Sequence, residues 1–218
     1  MPDVLTYVLH YEGAFNKNSL GAVSEGAARA AEIGGECHAV VVGGDESPSR
    51  ELCQTLGRYG ATKVFRAVGP EGLAQPVVDV MSKVIDDHGH GYALFGGGLL
   101  GFEIGAGLAA RRQSGVTMEV TAVRAQDGAL VAERPILQDS KISVSSYRGE
   151  LGIIIGRINA FEIVQAGDAV AEVVDLEVEY SPWSNQAKMV KRGEQRGADV
   201  DIEGADILVA GGRGLGKA

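Results

Sequence analysis

Residues 73–112 read LAQPVVDVMSKVIDDHGHGYALFGGGLLGFEIGAGLAARR, and the order of patterns inside this stretch decides the fold. From Leu73 to Asp87 the apolar residues Val77, Val80, Met81, Val84 and Ile85 recur at helical spacing, which predicts a helix with one buried face. Tyr92 to Phe95 is a short apolar run and predicts a buried strand. Gly96-Gly97-Gly98 supplies a tight exit, and Leu100 to Arg112 predicts the next helix. Helix, strand, glycine turn and helix with short connections build a wound parallel sheet, with right-handed crossovers.

Upstream, the same alternation repeats. Val4 to Leu9 predicts a strand, and after the loop Tyr11 to Lys17 a helix is expected with Asn18 or Ser19 as its N-cap. Leu20, Val23, Ala27, Ala30 and Ala31 share one face of it, and Gly34-Gly35 ends it. Ala39 to Val42 is a second strand, closed by Gly43-Gly44-Asp45. Ser47-Pro48 opens a helix carrying Leu52 and Leu56, and Lys63 to Ala67 is a third strand.

Downstream of Ser114 the pattern changes. Val116 to Val123, Ala129 to Pro135, Lys141 to Ser145 and Leu151 to Ile158 are strand-like, with a hairpin signal at Asp127-Gly128. Ile153, Ile154 and Ile155 are consecutive, so that strand is apolar on both faces and needs cover on both; the wound sheet and its helices can cover one side, and a second subunit is the simplest cover for the other, although the stretch Pro182 to Glu203 could do it instead. Ala169 to Glu179 alternates as a further strand. The polar stretch Pro182 to Glu203 reads as a connector with a short helix around Gln186 to Arg192. Ile207 to Val209 then predicts one more buried strand, followed by Gly211, Gly212, Arg213, Gly214 and Gly216.

That glycine-rich ending has the chemistry of a cofactor turn. Glycines let a ligand approach backbone N–H groups, and an arginine holds a phosphate through a planar fork of donors. Two standard fingerprints fail, however. Ala218 stands where a P-loop needs Ser or Thr, and Lys217 stands where the dinucleotide motif needs its third glycine. A tight exit from a strand remains the simpler reading of the glycines alone.

Composition narrows the partners. A formal net charge of −9 argues against nucleic acid as the main partner. The amino terminus has no basic start followed by an apolar core, and no apolar run nears the ~18 residues of a membrane helix, so a cytoplasmic protein without direct membrane insertion is expected. The cysteines, Cys37 and Cys53, lack metal-ligand spacing and are expected as buried free thiols.

Three segments resemble a known family. ADILVAGGRGLG (205–216) is similar to the opening of the FAD-binding domain in the alpha subunit of electron-transfer flavoproteins, the match being Gly211 to Leu215. GFEIGAGLAARRQSGVTMEVTAV (101–123) is similar to that family's helix, Ala-Ala-Arg and Asp-Val-Thr segment, with Glu119 in place of the usual Asp. AERPILQDSKISV (132–144) is similar to its Arg-Pro-Ile segment, although Asp139-Ser140 departs from the usual Gly-Asn or Gly-Lys. The resemblance implies an α/β fold with a Rossmann-like wound parallel sheet of the adenine nucleotide alpha hydrolase-like kind and an additional antiparallel region. It divides the chain into an amino-terminal domain, 1–204, and the first strand and turn of an FAD-binding domain, 205–218.

The resemblance further implies an electron carrier rather than an enzyme, taking electrons from dehydrogenases and passing them to a quinone-linked or other oxidoreductase; a bifurcating role stays open. It implies a beta subunit as partner and FAD as cofactor. Arg213 would donate to the phosphate or flavin region, and Gly211, Gly212 and Gly214 would shape the turn. Since most of the FAD-wrapping domain would lie beyond Ala218, this stretch alone is expected to bind FAD weakly or not at all.

Other constellations are read alongside. Gly96, Gly97, Gly98, Gly101, Gly105 and Gly107 suit either close packing of a Gly/Ala helix or a phosphate turn of the universal-stress type; the family resemblance, which places AMP on the beta subunit, argues for packing. A purely structural interface module is the third alternative. His88-Gly89-His90 reads as an exposed loop rather than a metal pair, His10 and His38 as local hydrogen-bonding groups at strand ends, and Asp86-Asp87 as a solvated helix end. No catalytic set and no metal site is expected. Lys188, Lys191, Arg192 and Arg196 form a short basic run, either solvated or a partner contact.

Overall fold

The computed structural model describes residues 2–11, 13–44, 48–190, 205 and 207–216. Seven parallel strands form the central sheet. They are β1 (Val4–Tyr7), β4 (Cys37–Gly43), β5 (Lys63–Val68), β6 (Tyr92–Phe95), β7 (Gly115–Val120), β11 (Gly152–Gly156) and β12 (Glu172–Leu176). The order is β12-β5-β4-β1-β6-β11-β7. Helices α1 (Lys17–Glu32) and α2 (Arg50–Gln54) wind the chain outward from β1 through β4 to β5, and α3 (Ala74–His88) then returns it to β6 on the other side of β1. The direction of winding therefore reverses between β1 and β6. Helix α4 (Leu99–Arg112) follows β6. A two-strand ribbon, β2 (His10–Tyr11) with β3 (Ala14–Phe15), connects β1 to α1.

The strand alternation sorts the core into two layers. Val4, Ala39, Val41, Val64, Leu94 and Ile154 face α1, whereas Leu5, Val40, Phe65, Ala93, Ile153 and Ile155 face α3 and α4. On α3, Val77, Val80, Met81, Val84 and Ile85 are all buried, as their spacing predicts.

The antiparallel part is smaller than the sequence suggests. It comprises β8 (Ala122–Gln126), β9 (Ala129–Ile136) and β10 (Lys141–Ser145), in the order β10-β9-β8. Asp127 and Gly128, both left-handed at φ 52° and 75°, make the β8–β9 hairpin turn. Strands β7, β11 and β12 instead join the parallel sheet. Apolar strands suit that place, since a parallel sheet is covered on both faces.

This layout overturns the need for a second subunit over Ile153–Ile155. Strand β11 lies between β6 and β7, and all three isoleucines are within 2% of full burial. Ile153 and Ile155 lie in the α3–α4 layer. Ile154 lies in the layer that holds Val123, Leu130 and Ala132 of the antiparallel extension. The chain covers both faces by itself.

Local chemistry moves several boundaries. Asn16, rather than Asn18 or Ser19, caps α1, because its Oδ1 accepts from the N–H groups of Asn18 (2.9 Å) and Ser19 (3.3 Å). Ser49 caps α2, so Pro48 precedes the cap. The expected helix at 186–192 is absent over 186–190; a 3₁₀ turn, Pro182–Asn185, precedes it, and the rest lies outside the described residues. Ile207 to Val209 form no strand. They are 58–95% exposed, and no sheet edge among the described residues pairs with them. An apolar run of strand-forming residues stays irregular where its backbone finds no ladder partner.

Candidate functional site

The carboxyl end of the sheet gathers the unusual chemistry. Where the winding reverses, β1 and β6 part and leave a crevice of about 380 Å³ lined by Tyr7, Tyr11, Asn16, Ser19 and the turn Gly96 to Gly101. Crevices at such reversals are where open α/β sheets take ligands. The glycines themselves are largely explained by packing. A Cβ on Gly96 would strike the backbone of Asn18, one on Gly97 the backbone of Arg157 and Ile158, and one on Gly101 the Gly96 carbonyl. Gly105 and Gly107 likewise bring α4 against Ile155 and Val78. Tyr7 lines the crevice while 5% exposed, and burial, with Tyr11 and Glu71 nearby, pushes its hydroxyl well above the usual phenol range.

Beside the crevice stands Arg157, just past β11. Its Nε reaches Glu119 Oε2 at 3.1 Å and its Nη2 reaches Asp139 Oδ1 at 3.3 Å. Backbone strain collects around it. Glu119 (φ 59°) sits at the bulge in β7, Leu137, Gln138 and Asp139 (φ 52°, 56° and 60°) form the β9–β10 turn, and Asn159 (φ 59°) follows Arg157. Left-handed backbone costs a non-glycine residue about 1–2 kcal/mol. The Asp139 departure from a glycine-containing pair thus falls where glycine would be least strained. Leu99 and Leu137 are exposed on this end, at 88% and 67%.

At the opposite end, His88 and Gly89 are exposed as the loop reading expects, but His90 is not. His90 is buried, and its Nε2 lies 2.8 Å from His38 Nδ1; His38 Nε2 lies 3.4 Å from Glu36. Burial, reinforced by His38, depresses His90 to about 4, and burial lowers His38 against the opposing pull of Glu36. His10, by contrast, lies at the carboxyl end, with its Nε2 3.2 Å from the Val42 carbonyl. No group of three or more His, Cys, Asp or Glu among the described residues can hold a metal ion. Cys37 and Cys53 are buried and free, with burial raising both thiols, Cys37 to about 12 and Cys53 to about 11. Asp86 pairs with Arg112 and Asp87 with Lys83 (2.8 Å), so that helix end is tied as well as solvated.

Asp79 is the buried carboxylate that pattern reading passed over. It accepts from Ser181 N (2.8 Å), Ser181 Oγ (2.8 Å), Ser184 Oγ (2.7 Å) and Arg111. Burial alone would raise it; the bonds from Ser184, Ser181 and Arg111 together bring it below the usual carboxylate range. Asp79 thereby fastens the 181–185 segment to α3. Its signal was legible as an acid inside the apolar run Val77-Val78-Asp79-Val80-Met81, which demands a partner.

The glycine-rich ending does not close on itself as a cradle. Arg213–Leu215 form one 3₁₀ turn, and among the described residues no atoms stand within 4 Å of a Cβ on Gly212 or Gly214, while one on Gly211 meets Leu215. Nothing among the described residues walls a flavin there. Of the basic run, Lys188 is exposed, and Lys191, Arg192 and Arg196 lie outside the described residues. No helix among the described residues is long and apolar enough to cross a membrane.

Comparison with known proteins bears on the whole sheet. The family model described as the electron transfer flavoprotein domain matches residues 4–179. An electron transfer flavoprotein subunit alpha of Mycobacterium leprae (strain TN) is 33% identical over 225 residues, taking in 100% of this chain and 66% of that protein. The protein FixB of Clostridium saccharobutylicum is 28% identical, with 94% and 62% covered, and an electron transfer flavoprotein subunit alpha of Megasphaera elsdenii is 29% identical with the same coverage. The chain spans just under two thirds of the length of these relatives.

Proposed function

The chain belongs to the electron transfer flavoprotein family, in which it matches alpha subunits, and from that premise we propose that it is the amino-terminal, subunit-docking domain of such an alpha subunit. The observation that carries this is the match from Val4 to Glu179, which takes in the seven-strand sheet and the antiparallel extension together. The assembled protein would be a cytoplasmic carrier, not an enzyme with a substrate of its own: electrons would come from dehydrogenases and leave to a quinone-linked or other oxidoreductase. Its redox step would belong to FAD, which supplies one- and two-electron chemistry when bound. In a chain of the relatives' full length, Gly211, Gly212 and Gly214 would shape the entry to the flavin domain, and Arg213 would donate to the cofactor. The beta subunit would dock on the antiparallel extension, where Ile142 and Val144 are exposed.

The test is co-expression of the full-length chain with a beta subunit. A stable heterodimer holding one FAD is expected, and Arg213→Ala should weaken FAD by about 1–3 kcal/mol, the range of a lost charged hydrogen bond. Failure of the two chains to co-purify would sink the docking role, and unchanged FAD retention would remove Arg213 from it. Titration with ATP and AMP should give no saturable heat, because packing accounts for the glycines at Gly96 to Gly101; micromolar binding that is lost on blocking the crevice would favour the nucleotide-binding reading instead.

A further inference from the structure

Arg134 on β9 is the exception among the half-buried lysines and arginines of the described residues. Its Nε is sealed from solvent without a hydrogen-bond partner, and its side chain makes no ion pair. The others are matched: Arg29 with Glu25 and Glu32, Lys63 with Glu172, Arg66 with Asp175, Lys83 with Asp87, Arg111 with Asp79, Arg112 with Asp86, and Arg157 with Glu119 and Asp139. Glu133 beside it on β9 is taken by Arg124, and Asp139 of the β9–β10 turn by Arg157. A partly desolvated guanidinium with free donors is a costly arrangement unless an outside acceptor completes it.

Its surroundings say what that acceptor is carried on. Arg134 stands opposite Ser143 on β10, and Lys141, exposed and without an ion pair, lies two residues from Ser143 and so on the same face. Ile142 and Val144 alternate onto the other face, 56% and 58% exposed. Strand β10 is the edge of its sheet, with one side of its backbone unladdered. Residues 115–158 hold five basic and five acidic side chains, so the whole charge of −9 lies elsewhere and an acidic segment meets least repulsion here.

We propose that β10 takes up an extended segment of the partner subunit by strand addition, and that this segment alternates apolar and acidic residues. Its apolar side chains lie beside Ile142 and Val144, and its carboxylates reach Lys141 and Arg134. Backbone hydrogen bonds supply affinity, and the alternating side chains supply selectivity. A second copy of this chain does not fit, because β10 laid against β10 brings another Lys141 and no carboxylate. The proposal rests on the subunit reading above.

Full-length protein and beta subunit provide the test. Arg134→Gln and Lys141→Glu should each weaken the complex about tenfold to a hundredfold, with the loss shrinking at high salt. The amides of residues 141–145 should gain hydrogen-exchange protection only in the complex. Arg134→Gln should leave the isolated chain as stable as the parent or more so, since no internal bond is lost. A heterodimer of parental affinity with Arg134→Gln, or β10 amides that exchange alike in both states, overturns strand addition while leaving the subunit reading in place. Absence of any complex with the parent chain overturns that reading and this one with it.

Discussion

The His38–His90 pair sets a direction for the pH dependence of stability. His90 is held near 4 in the folded chain, against about 6.5 when unfolded. The unfolded state therefore binds the extra proton first, and stability falls as pH drops from about 6.5 toward 4, by at most about 3 kcal/mol for this group. Asp3, Glu36, His88 and Lys63 also act on the pair, the acids opposing the fall and the cations adding to it. Asp79 and Asp175, whose folded values are depressed, lose their contribution only below the ordinary carboxylate range, whereas Glu25, raised by burial, takes up its proton first in the folded chain and offsets part of the fall, so the comparison with a His90 variant separates the histidine effect. Urea unfolding at pH 7, 5.5 and 4.5 should show the decline, and His90→Gln should flatten it; an equal slope in both proteins would clear His90 of the effect. Asp79 sits under a different constraint. Asp79→Ala strands two serine hydroxyls and the Ser181 amide, at an expected cost of about 3 kcal/mol. It should also free the 181–185 segment. Trp183, the single tryptophan, reports that release directly, and unchanged tryptophan fluorescence and anisotropy would contradict the fastening role.

Elements with strong periodicity were legible, and those defined by their partners were not. Tyr92–Phe95 stands where the sequence places it, and α3 and α4 differ from expectation by a residue at their ends, because apolar spacing and glycine exits are local signals. The hairpin at Asp127-Gly128 is equally local. By contrast, whether Gly115–Val120 and Gly152–Gly156 pair in parallel or antiparallel fashion is set by what lies across the sheet, which periodicity does not record. The same blindness hid the Arg157 cluster, whose members are 18 and 38 residues away in sequence from their arginine. It also made a strand of Ile207–Val209, whose composition suits a ladder it does not find. The β9–β10 turn shows an element built against local preference, with three successive left-handed residues and only Asp139 tied by a side-chain ion pair. Gln138 is exposed and has the least to lose there. Gln138→Gly should raise stability by about 0.5–1 kcal/mol, the relief of left-handed strain less the extra chain entropy of glycine. Calorimetry would show a midpoint about 1–4 °C higher; a lower midpoint would mean that the side chain holds the turn in a way its exposure conceals.

On the scale of the whole molecule, the two isoleucine-bearing strands have opposite duties, and one substitution in each separates them. Ile154 lies on β11, between β6 and β7, with no exposed surface, in one layer with the buried face of α1 and Val123, Leu130 and Ala132 of the extension. A carboxylate placed there has no cation to meet in that layer. Breaking such packing and burying an unpaired charge costs several kcal/mol, a large part of the ~5–15 kcal/mol that holds a domain together. Ile154→Asp should therefore unfold or aggregate the isolated chain, and any loss of partner binding would follow from that collapse. Ile142 stands on the exposed face of an edge strand, where a charge meets water. Ile142→Asp should change stability by no more than about 0.5 kcal/mol. In the full-length protein it should nonetheless weaken the heterodimer, because it sets a charge against an apolar contact and adds an acid to an edge that selects acids. Thermal unfolding of the isolated chains, followed by size-exclusion chromatography with the beta subunit, reads both effects. A folded Ile154→Asp chain would show that the extension does not seal the core. An Ile142→Asp chain that folds normally and assembles at parental affinity would move the docking surface away from β10.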